Sequence, residues 1–262
     1  MSRRFVDYDQ VAESYDQRYA LNRLDGVAQA LEARLDTSGA ESILDVGCGT
    51  GRWLSELAPM ARHAIGLDRS LGMLLRVPED DGRETLVCGS GDAMPIRDSS
   101  VDFITCVNVI HHLAAPSSFV SDGVRLLRSR GALAVVGLDP HQERDRWYLY
   151  DYFPEARGLD LQRYPSAEQL RKWMILSGLE NIETVVVERI QRRFTGGEIL
   201  DDYFLQRKAS SQLAILSDEA WARGLHRIRR AIQEGEDQGA PPVFEVDLAL
   251  ILVCGWKLPV QS

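Results

Sequence analysis

Between residues 42 and 139 five short apolar runs, "SILDVG", "HAIGLD", "TLVCG", "VDFITCVNVI" and "GALAVVGLD", alternate with helical patterns near 51–58, 69–76 and 117–129. No other feature narrows the fold as much. Strands alternating with helices read as crossover units, and these build a parallel sheet with helices on both faces. The runs are close to continuously apolar, as strands covered on both sides must be. At 262 residues, 45% of them hydrophobic, the chain can bury a sizeable core, and one domain over residues 1–262 is expected.

Outside this block the pattern changes. Leu21, Leu24, Val27, Ala28, Leu31 and Leu35 share one helical face, with Gly39 as a stop, so residues 21–35 read as a packing helix. After Asp139 a stretch rich in aromatic and charged residues lacks clean periodicity. A helix then runs from Ser166 to Gly178, followed by a strand over about 182–190 and a last strand in "FEVDLALILVCGW". Two further helical patterns, roughly 197–213 and 218–233, lie before that last strand. An insertion of that length usually covers or recognises something. The expected organisation is a cap over about 1–38, a core over 40–139, and lid insertions over about 140–165 and 191–240.

In "DVGCGTG", Asp45 ends a buried strand, and Gly47, Gly49 and Gly51 turn the chain into the next helix. Such a turn brings bare backbone and helix N-terminal amides to the carboxyl edge of a parallel sheet, where ligands bind in open α/β folds. A dinucleotide fingerprint, G-x-G-x-x-G, would need glycine where Arg52 stands, and no G-K-[ST] follows to make a phosphate loop. Seventeen residues beyond Gly51, Asp68 ends the second strand. A carboxylate there accepts hydrogen bonds from ribose hydroxyls and repels phosphate, which favours a nucleoside without pyrophosphate.

The formal charge of −9 disfavours nucleic acid as a partner. Four cysteines stand singly, without a C-x-x-C pair or metal-ligand spacing, so no metal and a reduced, cytoplasmic setting are expected. "LALILVCGW" is too short to span a bilayer, and the first ten residues carry no apolar segment of a targeting signal. A homodimer is compatible with all of this.

The motifs "LDVGCGTG", "IGLDRS", "GDAMPIRDSSVDF", "VIHHL" and "LLRSRGALAVV", with "YDQVAESYD" before them, resemble the class I S-adenosylmethionine-dependent methyltransferases, in particular the type 11 group that includes quinone-biosynthesis enzymes. The resemblance covers about residues 8–138. It implies a Rossmann-like, doubly wound α/β fold with a seven-stranded, mostly parallel sheet and an antiparallel last strand. It also implies S-adenosylmethionine as cofactor, S-adenosylhomocysteine as its product, and cofactor contacts at Asp45, Gly47, Cys48, Gly49, Gly51, Asp68, Arg69 and Asn108, with Tyr15 in the cap. After the third strand two registers remain open. One sets Ser90 and Gly91 against the adenine, the other Asp92 and Ala93.

His111 and His112, at a strand end, are the candidate catalytic bases, with local packing the alternative. The cluster Trp147, Tyr148, Tyr150, Tyr152 and Phe153 suggests, as a group, an apolar or aromatic acceptor pocket, although each ring alone reads as core. Arg223, Arg227 and Arg230 share a helical face and read first as a solvated surface, an anionic acceptor or Asp201 and Asp202 being the other partners considered. His141 reads as surface. Methyl transfer to a small molecule under a lid is the expected function. The rivals are a tRNA-modifying methyltransferase, a protein that binds the cofactor without methylating, and a nicotinamide dehydrogenase, the last disfavoured by Arg52.

Overall fold

The computed structural model describes residues 8, 9, 12, 15–79 and 82–259. One mixed sheet runs through them. Its strands are β1 (Ser42–Val46), β2 (His63–Asp68), β3 (Glu84–Cys88), β4 (Val101–Val107), β5 (Leu127–Gly137), β6 (Arg146–Trp147), β7 (Leu179–Thr195) and β8 (Val243–Lys257). β3, β2, β1, β4 and β5 lie side by side in that order, all parallel. β8 then runs antiparallel between β5 and β7, while the two-residue β6 pairs with its far end at Val246 and Asp247. The antiparallel last strand is therefore as expected, and β6 raises the number of strands from seven to eight.

The helices are α1 (Gln17–Leu21), α2 (Asp25–Ser38), α3 (Arg52–Leu57), α4 (Leu71–Leu74), α5 (Pro116–Leu126), α6 (Tyr148–Tyr152), α7 (Pro154–Arg163), α8 (Ala167–Leu176), α9 (Ser211–Ala214) and α10 (Asp218–Asp237). In β1, Ile43 packs into the layer under α2 and α3, and its neighbour Leu44 into the layer that contains α5 and α8. Successive side chains point to opposite faces, so this one strand is apolar on both sides. α2 buries Val27, Ala28, Leu31 and Leu35 and stops at Gly39, whose φ of +59° suits glycine. α8 starts at a capping box: the Ser166 hydroxyl accepts from the Gln169 amide, and the Gln169 side chain accepts from the Ser166 amide.

Four expectations need correction. The helix expected over 21–35 starts only at Asp25, because the left-handed Leu24 precedes it and the exposed Leu21 closes α1. The helix expected over 117–129 ends at Leu126, and β5 begins at once, with an irregularity where Val101 and Phe103 pair with it. β7 is much longer than 182–190, because successive residues out to Thr195 keep pairing with β8. The helix expected over 197–213 is broken into short 3₁₀ turns at Gly196–Asp201 and Tyr203–Leu205, then α9. Gly196 at φ +56° starts the first turn, and the Asp202 carboxylate takes the Phe204 amide, so local capping wins over a continuous helix. α10 fits its expected pattern, burying Ala220, Gly224, Ile228 and Ile232 one turn apart.

Between β5 and β8 the additional elements form a core of their own, in which Tyr148, Phe153, Ile199, Leu213, Ile228 and Phe244 pack together. Most of the aromatic cluster goes there. Tyr148 and Phe153 are fully buried, and only Trp147 of the five reaches the chamber described below. The arginine face of α10 is an ordinary surface: Arg223 pairs with Glu155 at 2.8 Å, Arg230 with Glu234 at 2.6 Å, and Arg227 donates to the Tyr152 carbonyl. His141 is exposed, although its Nε2 lies 2.8 Å from the Tyr164 carbonyl. No helix among the described residues is long and apolar enough to cross a membrane.

Candidate active site

Two cavities meet above the carboxyl ends of the parallel strands. The first is a crevice over the tips of β1, β2 and β3, bordered by Gly47, Gly49, Asp68, Arg69, Ser90, Gly91 and Asp92. The second is a chamber of about 150 Å³ between β7, β8, α1 and the turns before α10. Tyr8, Tyr15, Asn108 and His112 border both, so these four residues form the passage from one to the other.

The glycine turn answers to two different demands. Gly47, Gly49 and Gly51 all have positive φ, at +74°, +56° and +86°. A Cβ on Gly47 would collide with both γ-carbons of Val109, and one on Gly51 would come within 2.8 Å of Val77 Cγ1. Those two glycines let protein pack on protein. Gly49 differs: its added Cβ would meet nothing nearer than the Tyr15 ring at 3.8 Å, on the crevice side. Bare backbone there leaves room for a ligand.

Asp68 is held by two backbone donors, Gly49 N–H at 2.9 Å and Ser70 N–H at 2.8 Å, one on each oxygen. Each carboxylate oxygen can accept a second bond, so a diol in the crevice would find free lone pairs in a fixed place. Below the turn, Asp45 is 1% exposed and neither of its oxygens has a hydrogen-bond partner among the described residues. Burial and then the charge of Asp68 push its pKa up to about 8. At neutral pH the protonated acid dominates.

Asn108 ends β4 in the left-handed region, φ +55°, a conformation asparagine tolerates better than most residues. On the far side of the crevice Ser90 and Asp92 both present oxygens. Asp92 already accepts from the Ala115 amide at 3.0 Å, and its own amide donates to the Ser90 hydroxyl at 3.1 Å. Both registers therefore meet at one small loop. Of the residues expected around a cofactor, Gly47, Gly49, Asp68, Arg69, Ser90, Gly91, Asp92, Asn108 and Tyr15 border the crevice. Asp45, Cys48 and Gly51 are buried beneath or beside the turn, and Ala93 faces outward. Cys48 packs toward Gly66, and burial pushes its thiol pKa up, which keeps it protonated.

The two histidines part ways. His111 faces the chamber, stacked on Tyr164 with ring centroids 4.0 Å apart, its Nε2 3.1 Å from the Tyr164 hydroxyl. That hydroxyl accepts from the Gln212 amide at 2.9 Å, and the His111 nitrogen is the acceptor within reach of its proton. With the phenol proton in that bond the imidazole proton sits on Nδ1, which is buried without a hydrogen-bond partner among the described residues. His112 stands in the passage with Nε2 2.6 Å from the Tyr8 hydroxyl. Burial, aided by Arg163, lowers its pKa to about 3, and burial lowers that of His111 well below the usual value. Both rings are neutral at physiological pH.

Both the sequence and the overall fold have counterparts among known proteins. Residues 44–135 fit the family model described as a methyltransferase domain. A probable S-adenosylmethionine-dependent methyltransferase of Mycolicibacterium smegmatis is 32% identical over 120 residues, 46% of this chain and 46% of that protein. The human probable tRNA methyltransferase 9B is 36% identical over 131 residues, 48% of this chain and 28% of that protein. The matched region thus spans less than half the length of these curated relatives. Among solved structures, a putative methyltransferase from an antibiotic biosynthesis pathway of Anabaena variabilis superposes with a TM-score of 0.66 at 18% identity, covering 87% of this chain and 96% of that one. The shared architecture is a Rossmann-like α/β fold with a mostly parallel sheet.

Tyr8, Arg18, Tyr164, Arg192 and Gln212 border the chamber without having been singled out from the sequence as site residues. They are drawn from five separate segments, and no local motif links them.

Proposed function

We infer that the protein transfers a methyl group from S-adenosylmethionine to a small molecule held in the chamber. The observation that carries this reading is the passage: two cavities share Tyr8, Tyr15, Asn108 and His112, one bordered by the glycine turn and Asp68, the other by the elements before β8. The crevice residues fit the cofactor. Gly49 leaves backbone open, Asp68 has lone pairs to spare for the ribose hydroxyls, and Ser90 or Asp92 can accept from the adenine amino group. When bound, S-adenosylmethionine supplies an electrophilic methyl on a sulfonium. The chain's own residues then hold the acceptor in line and exclude water, which accounts for much of the acceleration such a displacement needs. Residues 196–216 and α1 act as the lid.

Where the acceptor has to lose a proton, the Tyr8 and His112 pair is better placed than His111, because it borders both cavities and His111 only the chamber. The reading treats the chain as one catalytic unit working in the cytoplasm. Calorimetry with S-adenosylhomocysteine tests it: binding at micromolar concentrations is expected, and a protein that takes up none of it contradicts the proposal. A second reading, tRNA modification, draws on the likeness to the human protein named above. The acidic chain and a chamber the size of a single ring support a small acceptor instead. Salt-sensitive methyl incorporation into bulk tRNA would favour the second reading.

A further inference from the structure

The lining of the chamber includes apolar groups from Leu24, Leu138, Trp147, Ile190, Leu248 and Leu250. Two guanidinium groups, of Arg18 and Arg192, also line it, and their circumstances differ. Arg192 is fully engaged: Nη1 lies 3.2 Å from the Asp202 carboxylate and Nη2 donates to Asn22 Oδ1 at 3.1 Å. Asp202 in turn is completed by the Tyr148 hydroxyl at 2.6 Å and the Phe204 amide at 3.2 Å. Arg163, just behind Tyr164, is paired with the buried Asp160 at 2.5 Å.

Arg18 has no such partner among the described residues. Its Nη2 donates to the Ala209 carbonyl at 2.8 Å, its Cζ lies 4.1 Å from the centroid of the Tyr15 ring, and its Nε is buried without a hydrogen bond. No carboxylate lies within ion-pair distance of it among the described residues. The two histidines beside it are neutral, so they neither oppose nor replace its charge. A guanidinium withdrawn from water without a counter-charge is costly, and a face of an aromatic ring offsets only part of that cost.

We propose that the acceptor is a small organic acid of about one ring, its carboxylate paired with Arg18 and its apolar body in contact with apolar lining residues such as Trp147, Ile190 and Leu250. This rests on the methyl-transfer reading and adds the substrate class to it. One uncompensated positive charge matches one carboxylate. A phosphate dianion would need a second cation, and Arg192 is already held by Asp202. The volume sets the size, since an apolar cavity of about 150 Å³ takes up benzene.

The test uses the intact protein saturated with S-adenosylhomocysteine. Benzoate, phenylacetate and cinnamate are compared with their primary amides by calorimetry at pH 7.5. Acids should bind at least about tenfold tighter than the matching amides. Arg18→Met should bring the acids down to the amides, and Arg18→Lys should keep part of the preference, both with unchanged affinity for S-adenosylhomocysteine. Equal binding of acids and amides overturns the proposal, as does a preference that survives Arg18→Met or a wild-type protein that binds S-adenosylhomocysteine but none of the acids. If Arg18→Met does not fold, the acid and amide pairs on the wild-type protein decide alone. A wild-type protein that fails to bind S-adenosylhomocysteine removes the methyl-transfer reading itself, and this inference with it.

Discussion

The crevice and the chamber lie next to each other but are built in opposite ways. The crevice is made from short loops at the ends of consecutive strands, and much of its surface is backbone: Gly47, Gly49, Gly89 and Gly91 all border it. The chamber is made from side chains spread from residue 8 to residue 250, brought together only by tertiary packing. A site made of backbone is specified by conformation and tolerates little change at its glycines. A site made of side chains is specified by identity, so it can be altered residue by residue.

Substitutions that test this contrast should differ in size. The largest effect is expected from Gly47→Val, which adds a clash with Val109 to a φ of +74°. It should cost more than about 3 kcal/mol of stability in chemical denaturation, whereas a full-strength fold would break the contrast. Asp68→Ala should weaken S-adenosylhomocysteine binding by about 1–3 kcal/mol in calorimetry, with little change in any acceptor's affinity for the loaded protein. Loss of both together would mean that the two cavities are energetically one.

A pH titration addresses the neutral passage. His112 has a folded pKa of about 3, well below its unfolded value. Above the unfolded value its neutral burial is harmless; as pH falls below about 6.5 the unfolded chain takes up a proton that the folded chain refuses. Stability measured against His112→Asn should therefore fall by about 2 kcal/mol between pH 7 and pH 5. Asp45 opposes this trend, because its raised pKa favours folding at lower pH, and it is present in both proteins, so the difference isolates the histidine. A flat difference would show that His112 is accessible to protons. The smallest effect belongs to Tyr164→Phe, which removes the hydroxyl between Gln212 and His111 at a cost of about 1 kcal/mol and should leave S-adenosylhomocysteine affinity unchanged.

Legibility follows the same division. The five core strands and the glycine turn can be read directly, because each is a contiguous run whose period or spacing carries its own meaning. Asp68 is visible as the acid that closes such a run. Gly51 is visible too, but nothing in the spacing distinguishes a glycine that faces a crevice from one that admits Val77. The region after Asp139 is harder. Its aromatic residues look alike in sequence, yet Tyr148 and Phe153 fill a core while Trp147 borders the chamber. The helical pattern over 197–213 gives way to caps at Gly196 and Asp202 that act over two or three residues. Arg18 and Arg192 differ only in their partners, Ala209 for one and Asp202 for the other, and both of those contacts depend on the finished fold.

Thr195 and Val243 are partners in the β7 and β8 ladder, and the Gly196 amide bonds to the Pro242 carbonyl at 2.8 Å. The chain leaves the sheet and returns to it at neighbouring points. Everything between is in effect a cassette hung on two adjacent strand ends, so a lineage could exchange it for a longer or shorter one without disturbing the register of the sheet beneath.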